Sequence, residues 1–122
     1  MNDPRPALAI GHVRLLVGNV ATTTDFFVKL GIRTIVEQAD FAVLELRGGT
    51  HLVLRPWEAP ESGPVPFDIM VDDIDAAYVR LKEYGMDVTD ITRGHIHDHC
   101  EAQTPDRRAW TMTSSHAGAR AV

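Results

Sequence analysis

His12-Val13-Arg14-Leu15-Leu16-Val17-Gly18-Asn19-Val20 and, 54 residues later (66 − 12), Pro66-Phe67-Asp68-Ile69-Met70-Val71-Asp72-Asp73-Ile74 share one pattern. Each is an apolar strand-like run that ends in an Asx residue fit to start a helix. At the same offset Val17 meets Val71, Val20 meets Ile74, Phe27 meets Leu81, Leu30 meets Tyr84, Gly31 meets Gly85 and Ile32 meets Met86. Identity is low, but both halves read as strand, helix start, amphipathic helix, glycine stop and new strand.

Asn19 and Asp73 are N-cap residues whose side-chain oxygens accept free N–H groups of a first helical turn. Ile74, Ala77, Tyr78, Leu81 and Tyr84 recur at three and four, which gives the second helix one apolar face. The first is weaker in propensity because of its threonine run, Thr22 to Thr24, so Phe26 and Phe27 must hold it by packing. Gly31 and Gly85 supply the left-handed residue that ends a helix at low cost.

After each helix the period becomes two. Phe41 to Leu46 and His51 to Arg55 flank Arg47-Gly48-Gly49-Thr50, a hairpin in which Leu46 is expected opposite His51. Cys100 to Gln103 and Ala109 to Thr113 flank a second turn, which sets Glu101 across from Thr111. The expected class is therefore α+β, with two βαβββ modules in a curved, partly open, barrel-like sheet and the helices outside. Module one covers about 10–56 and module two about 66–116 of a single domain, 1–122; the proline-rich stretch 56–66 is a linker and the tail after His116 is frayed. Facing sheets would enclose one small-molecule pocket.

With 122 residues, 44% hydrophobic and 24% charged, the chain has the balance of one globular domain. Twelve basic against 17 acidic side chains leave a net charge of −5 and no basic stripe, which argues against nucleic acid as a partner. No apolar run is long enough for a membrane anchor, and the first residues do not read as a signal peptide. One cysteine, Cys100, fits a reducing cytoplasm. Short sheets with uncovered edges and faces lead to the expectation of a homodimer.

Gly11-His12-Val13 opening a strand, the Asn19 helix ending at Leu30-Gly31, Val71-Asp72-Asp73-Ile74-Asp75-Ala76-Ala77 entering a helix, and the Thr104-Pro105-Asp106 hairpin together resemble the vicinal oxygen chelate superfamily. That superfamily includes glyoxalase I, bleomycin-resistance, fosfomycin-resistance and extradiol dioxygenase proteins. The resemblance spans about residues 10–116 and implies the fold far more than any one activity. In its metal-using members the ligands come from the first and fourth strands of each module. Here those positions fall on His12, Val53, Pro66 and Thr111, of which His12 alone is a good ligand. The resemblance thus implies no full family metal site and no required cofactor. A divalent metal held by a different set, His12, His51, His99 and Glu101, stays open.

Strand alternation gives the faces directly. Trp110, Met112, Cys100, Ala102, Leu52 and Leu54 should pack on the helices. The opposite faces should carry His12, Arg14, His51, Arg55, Asp68, Glu101, Gln103, Thr111 and Thr113. In an enzyme Glu101, His12 and His51 would move protons, and Arg14, Arg55, Asp68, Gln103, Thr111 and Thr113 would bind substrate. Each has a plainer alternative: His12 as a hydrogen-bonded strand residue, Arg14 and Asp68 as a structural ion pair. The run Gly94-His95-Ile96-His97-Asp98-His99-Cys100, if extended, lines up His95, His97, His99 and Glu101 as a metal ladder; otherwise it is a solvated loop. The expected function is a lyase or isomerase acting on a small oxygenated substrate. The alternative is a metal-free protein that sequesters an antibiotic or natural product.

Overall fold

The structure is a computed structural model and describes residues 3–57, 63–115 and 117–120. Module one runs β1 (His12–Val17), α1 (Val20–Lys29), β2 (Arg33–Gln38), β3 (Phe41–Glu45) and β4 (His51–Pro56). Module two runs β5 (Gly63–Pro64), β6 (Ile69–Val71), α2 (Ile74–Glu83), β7 (Asp87–Val88), β8 (His99–Gln103) and β9 (Arg108–Ser114). The first sheet has the order β1-β4-β3-β2; the second has β5-β9-β8-β7, with β6 on the same side of β9 as a further short segment. The α+β class and the two βαβββ modules stand as the sequence reads, and no barrel closes.

Capping explains the helix limits. The Asn19 side chain accepts from the Thr22 N–H and that of Asp73 from the Ala76 N–H, each at 3.0 Å. Gly31 and Gly85 have φ of 96° and 75°, the left-handed region that a Cβ disfavours. Phe26 and Phe27 are buried, and both rings pack on Trp110 of β9, with centroids 5.8 and 4.8 Å away. Phe67 meets the same indole at 6.0 Å. Tertiary packing thus holds the threonine-weakened α1, and it does so across the two modules.

One core joins Leu15, Val17, Leu44, Leu52 and Leu54 of the first sheet to Cys100, Ala102, Trp110 and Met112 of the second, together with Phe26 and Phe27 of α1 and Ile74 and Leu81 of α2. Each sheet therefore turns its apolar face inward to the shared core and its polar face outward. Asp106, in the turn between β8 and β9, ties the modules by accepting the Gly18 N–H at 3.1 Å. Arg47 reaches Asp72 as a second tie.

Three expectations need correction. Glu45, not Leu46, pairs with His51, because Arg47–Gly49 forms a 3-10 turn with Gly48 and Gly49 at positive φ and lengthens the connection. The stretch 56–66 is more than a linker: β5 pairs with Arg108 and Ala109. Finally, Leu15, Leu52 and Leu54 of the first sheet and Trp110 and Met112 of the second line one core, so the polar faces lie on the outer sides of that core and it is not a pocket that the sheets enclose between them. Among the described residues no helix is long and apolar enough to cross a membrane.

Candidate functional site

The parallel β1–β4 ladder pairs His12 with His51, Arg14 with Val53 and Leu16 with Arg55. The intervening Val13, Leu15, Leu52 and Leu54 point toward the core, so His12, Arg14, His51 and Arg55 share the outer face, as alternation requires. The two imidazoles lie side by side, ring centroids 5.6 Å apart and planes at 64°. Arg55 lies over the Phe41 ring at 4.6 Å from its centroid, a cation–π contact that fixes the guanidinium on this face. Sequence reasoning missed Phe41 because the one-residue register error moved it off the Arg55 position. Glu45 and Arg33 form an ion pair at the far side of the same face.

In the second sheet Glu101 pairs with Thr111, Gln103 with Ala109 and His99 with Thr113, as the β8–β9 reading requires. Met70 pairs with Thr113, and Asp68 lies two residues before it on the same parity and is exposed. Glu101 and Gln103 are exposed, Thr111 is half-buried and Thr113 is buried. The Glu101 backbone N–H donates to Thr89 Oγ1 at 2.9 Å, which fixes the strand while leaving the carboxylate free. Among the described residues Arg14, Asp68 and Glu101 make no ion pair, so the structural Arg14–Asp68 pair does not form.

The structure divides the sequence-derived set into two: His12, Arg14, His51 and Arg55 on one sheet, and Asp68, His99, Glu101, Gln103, Thr111 and Thr113 on the other. Within one chain His12 and His51 do not join His99 and Glu101, and among the described residues no three His, Cys, Asp or Glu side chains converge as a metal group. The family-type ligand positions fare no better: Val53 is an apolar residue 9% exposed, Pro66 has no donor side chain and Thr111 is a poor ligand, which leaves His12 alone. These residues do not fit a family-type metal.

The histidine run is not a ladder. Residues 94–98 form a bent loop and only His99 enters a strand. Arg93 holds that loop by bonding Asp75 of α2 at 2.6 Å and Asp98 at 2.9 Å. Its guanidinium keeps both carboxyls below their ordinary range, and for Asp98 the Gly94 N–H adds to the effect. Cys100 is buried, and desolvation pushes its thiol up, which removes it as a nucleophile, as its strand position predicts.

Two concavities lie on the seam between modules. One, of about 440 Å³, is bounded by the end of α1, the start of α2 and Arg47. The other, of about 350 Å³, is bounded by Leu15, Leu16, Trp57, Pro64, Pro66 and Arg108. Sequence reasoning missed Arg108, which it placed in a turn; it begins β9 and is buried at 3% exposure.

A family model described as Glyoxalase/Bleomycin resistance protein/Dioxygenase superfamily matches residues 9–112. Among solved structures, lactoylglutathione lyase from Agrobacterium tumefaciens superposes with a TM-score of 0.73 at 14% identity, covering 94% of this chain and 99% of that one. TnmS3, an antibiotic-binding protein from a Streptomyces species, gives 0.73 at 22% identity, with 90% and 98% covered. Oxidase ChaP-H2 gives 0.70 at 15%, with 90% and 95% covered. At these identities the likeness carries the fold alone. No curated protein matches the sequence.

Proposed function

The chain belongs to the Glyoxalase/Bleomycin resistance protein/Dioxygenase superfamily, and we propose that it is a cytoplasmic lyase or isomerase whose small oxygenated substrate lies between two copies of the chain. The first sheet of one copy faces the second sheet of the other. One observation carries this reading: the two outward faces are opposite in charge. The first offers Arg14 and Arg55, the second Asp68 and Glu101, and Arg14, Asp68 and Glu101 have no ion-pair partner among the described residues. Unpaired charges of opposite sign on two faces of one chain favour a second copy as the cover. Among the described residues β1 also has a strand partner on one side only, which leaves an edge for that copy to approach.

In the closed site Arg14 and Arg55 bind a carboxylate or a developing oxyanion. Glu101 takes a proton from the hydroxyl-bearing carbon next to a carbonyl while His12 or His51 protonates the carbonyl oxygen; the same imidazole then takes the proton of the neighbouring hydroxyl as Glu101 returns its own to the former carbonyl carbon. Gln103, Thr111 and Thr113 orient the substrate through neutral hydrogen bonds. No step passes through a metal.

Hydroxyacetone in D2O, followed by proton NMR, tests this chemistry. The wild-type protein is expected to exchange the carbon-bound protons, and Glu101→Gln to lose about 100-fold or more of that rate at an unchanged melting temperature. Equal exchange by both proteins sinks the role of Glu101. Sedimentation equilibrium at tens of micromolar tests the assembly, since a 13.5 kDa species there leaves the site open and the proposal without its cavity.

A second reading, sequestration of an antibiotic or natural product without turnover, is favoured by the 350 Å³ concavity. Leu15, Leu16, Trp57, Pro64 and Pro66 give it an apolar lining, and Trp57 is 52% exposed, a flat ring open to a ligand. Under that reading Glu101→Gln changes affinity by only about 1–2 kcal/mol and no proton exchange occurs.

A further inference from the structure

His12 and His51 form the one directly paired set of imidazoles among the described strand ladders, and their spacing has a chemical meaning. A divalent ion held about 2.05 Å from each imidazole nitrogen, with each ring centre about 1.2 Å behind its nitrogen, puts two rings roughly 5.3 Å apart at a tetrahedral angle. The observed centroid separation is 5.6 Å, with the ring planes crossed at 64°. Neither ring makes a hydrogen bond or ion pair among the described residues, so each turns about its own side-chain torsions without losing a partner. The neighbouring core-facing Val13 and Leu52 hold the two backbones in register, so little order must be created to bring both nitrogens onto one ion.

We infer that His12 and His51 are a two-imidazole chelate for a borderline divalent cation of the Ni²⁺, Cu²⁺ or Zn²⁺ type. Neutral imidazole suits these ions, whereas Mg²⁺ and Ca²⁺ require oxygen ligands, which this pair does not supply. The remaining coordination positions face solvent and hold water. The ion is therefore exchangeable, not a structural staple. This chelate differs from the ligand pattern of the resembling family: the second ligand is the residue directly across the ladder from His12, whereas the family position two residues further on is Val53. The inference concerns a single chain and stands whether or not a second copy covers the face.

Isothermal titration of Ni²⁺ into protein carrying no histidine tag tests it, with His12→Ala, His51→Ala and a His95→Ala/His97→Ala/His99→Ala variant in parallel. All five positions lie outside the apolar core, so melting curves should coincide, and any variant whose curve does not is replaced by the corresponding glutamine. The wild type is expected to take up one equivalent, and His12→Ala and His51→Ala each to weaken binding by about tenfold or more. The triple variant should bind as the wild type does. Loss of binding in the triple variant alone moves the ion to the loop and overturns the inference, as does the absence of any uptake by the wild type. Because the readout is metal binding at one chain per ion, a failed proton-exchange assay leaves this result unaffected.

Discussion

The second and third strands of module one are joined by Ala39 and Asp40 alone, whereas in module two residues 89–98 lie between β7 and β8. β2 has six residues and β7 two. The modules are alike where the 54-residue repeat is audible, in the first strand, the capped helix and its glycine, and they part where it fades. In module one the sheet supplies its own hydrogen bonds through this region. In module two the same space is filled by a loop that returns through a Thr92–His99 bridge and depends on the side chains of Arg93, Asp75 and Asp98. The repeat thus built a common frame, and the departure from it placed polar side chains beside the second polar face.

The sharpest way to break the comparison is to ask whether the modules fold separately at all. Trp110 is fully buried and its indole meets Phe26 and Phe27 from the other module. Trp110→Ala should cost about 3–5 kcal/mol, since it removes the largest buried side chain and leaves a cavity at the junction. Denaturant unfolding should remain a single transition at lower midpoint. Two resolved transitions, one unaffected by the substitution, would show two cores and contradict the shared one.

Smaller, and confined to module two, is the effect expected at Gly94. A Cβ there would stand 2.5 Å from the His97 carbonyl oxygen, which is backbone and cannot rotate away. Gly94→Ala should cost about 1–3 kcal/mol by forcing the loop apart. Gly48→Ala, in the module-one turn, meets nothing within 4 Å and pays only for its positive φ of 77°, about 1 kcal/mol or more. If the melting temperatures of the two variants coincide, the loop is no tighter than the turn.

These positions also show what could be read from sequence. Helix limits were legible because an Asx cap and a glycine stop are local chemistry, and the β8–β9 register was legible because Trp110, Met112, Cys100 and Ala102 alternate without a break. The β3–β4 register was not, since both hairpin pairings keep an apolar face and only the 3-10 geometry of Arg47–Gly49 decides between them. The start of the first strand of module two was not legible either: β6 begins at Ile69, because Pro64 and Pro66 interrupt that strand, and proline lacks the N–H that a continuous ladder uses. Alternation says which residues share a face. It is silent on what that face opposes, so Arg14 and Glu101 could be assigned to polar faces without fixing what covers either face.

The helix caps offer a matched pair. Asn19→Ala and Asp73→Ala each remove one 3.0 Å bond to a first-turn N–H and should cost about 1 kcal/mol apiece. The module-one cap should be the more damaging, because α1 contains Thr22, Thr23 and Thr24, and α2 instead has Asp75 in its first turn, where a carboxylate favours the positive end of the helix. Equal losses would mean that packing on Trp110, not local propensity, sets the stability of α1.

The smallest effect expected is the pH dependence of the Arg93 clamp, which belongs to module two alone. Arg93 donates to Asp75 and Asp98 and holds both carboxyls below the usual value of 3.8. A carboxyl with a lowered value in the folded chain takes its proton first in the unfolded chain. The clamp therefore stabilises the fold fully at pH values above the unfolded value, and the contribution fades as the pH falls through it toward the lower folded value. The difference in melting temperature between wild type and Arg93→Gln should hold steady from about pH 7 to 5 and shrink below about pH 4. Because all three side chains are more than a quarter exposed, water and salt screen the pair, and 1 M NaCl should shrink the same difference at neutral pH. A difference that grows on acidification would mean that Arg93→Gln acts through something other than these two carboxylates, and the loop would then owe its shape to the Gly94–His97 contact instead.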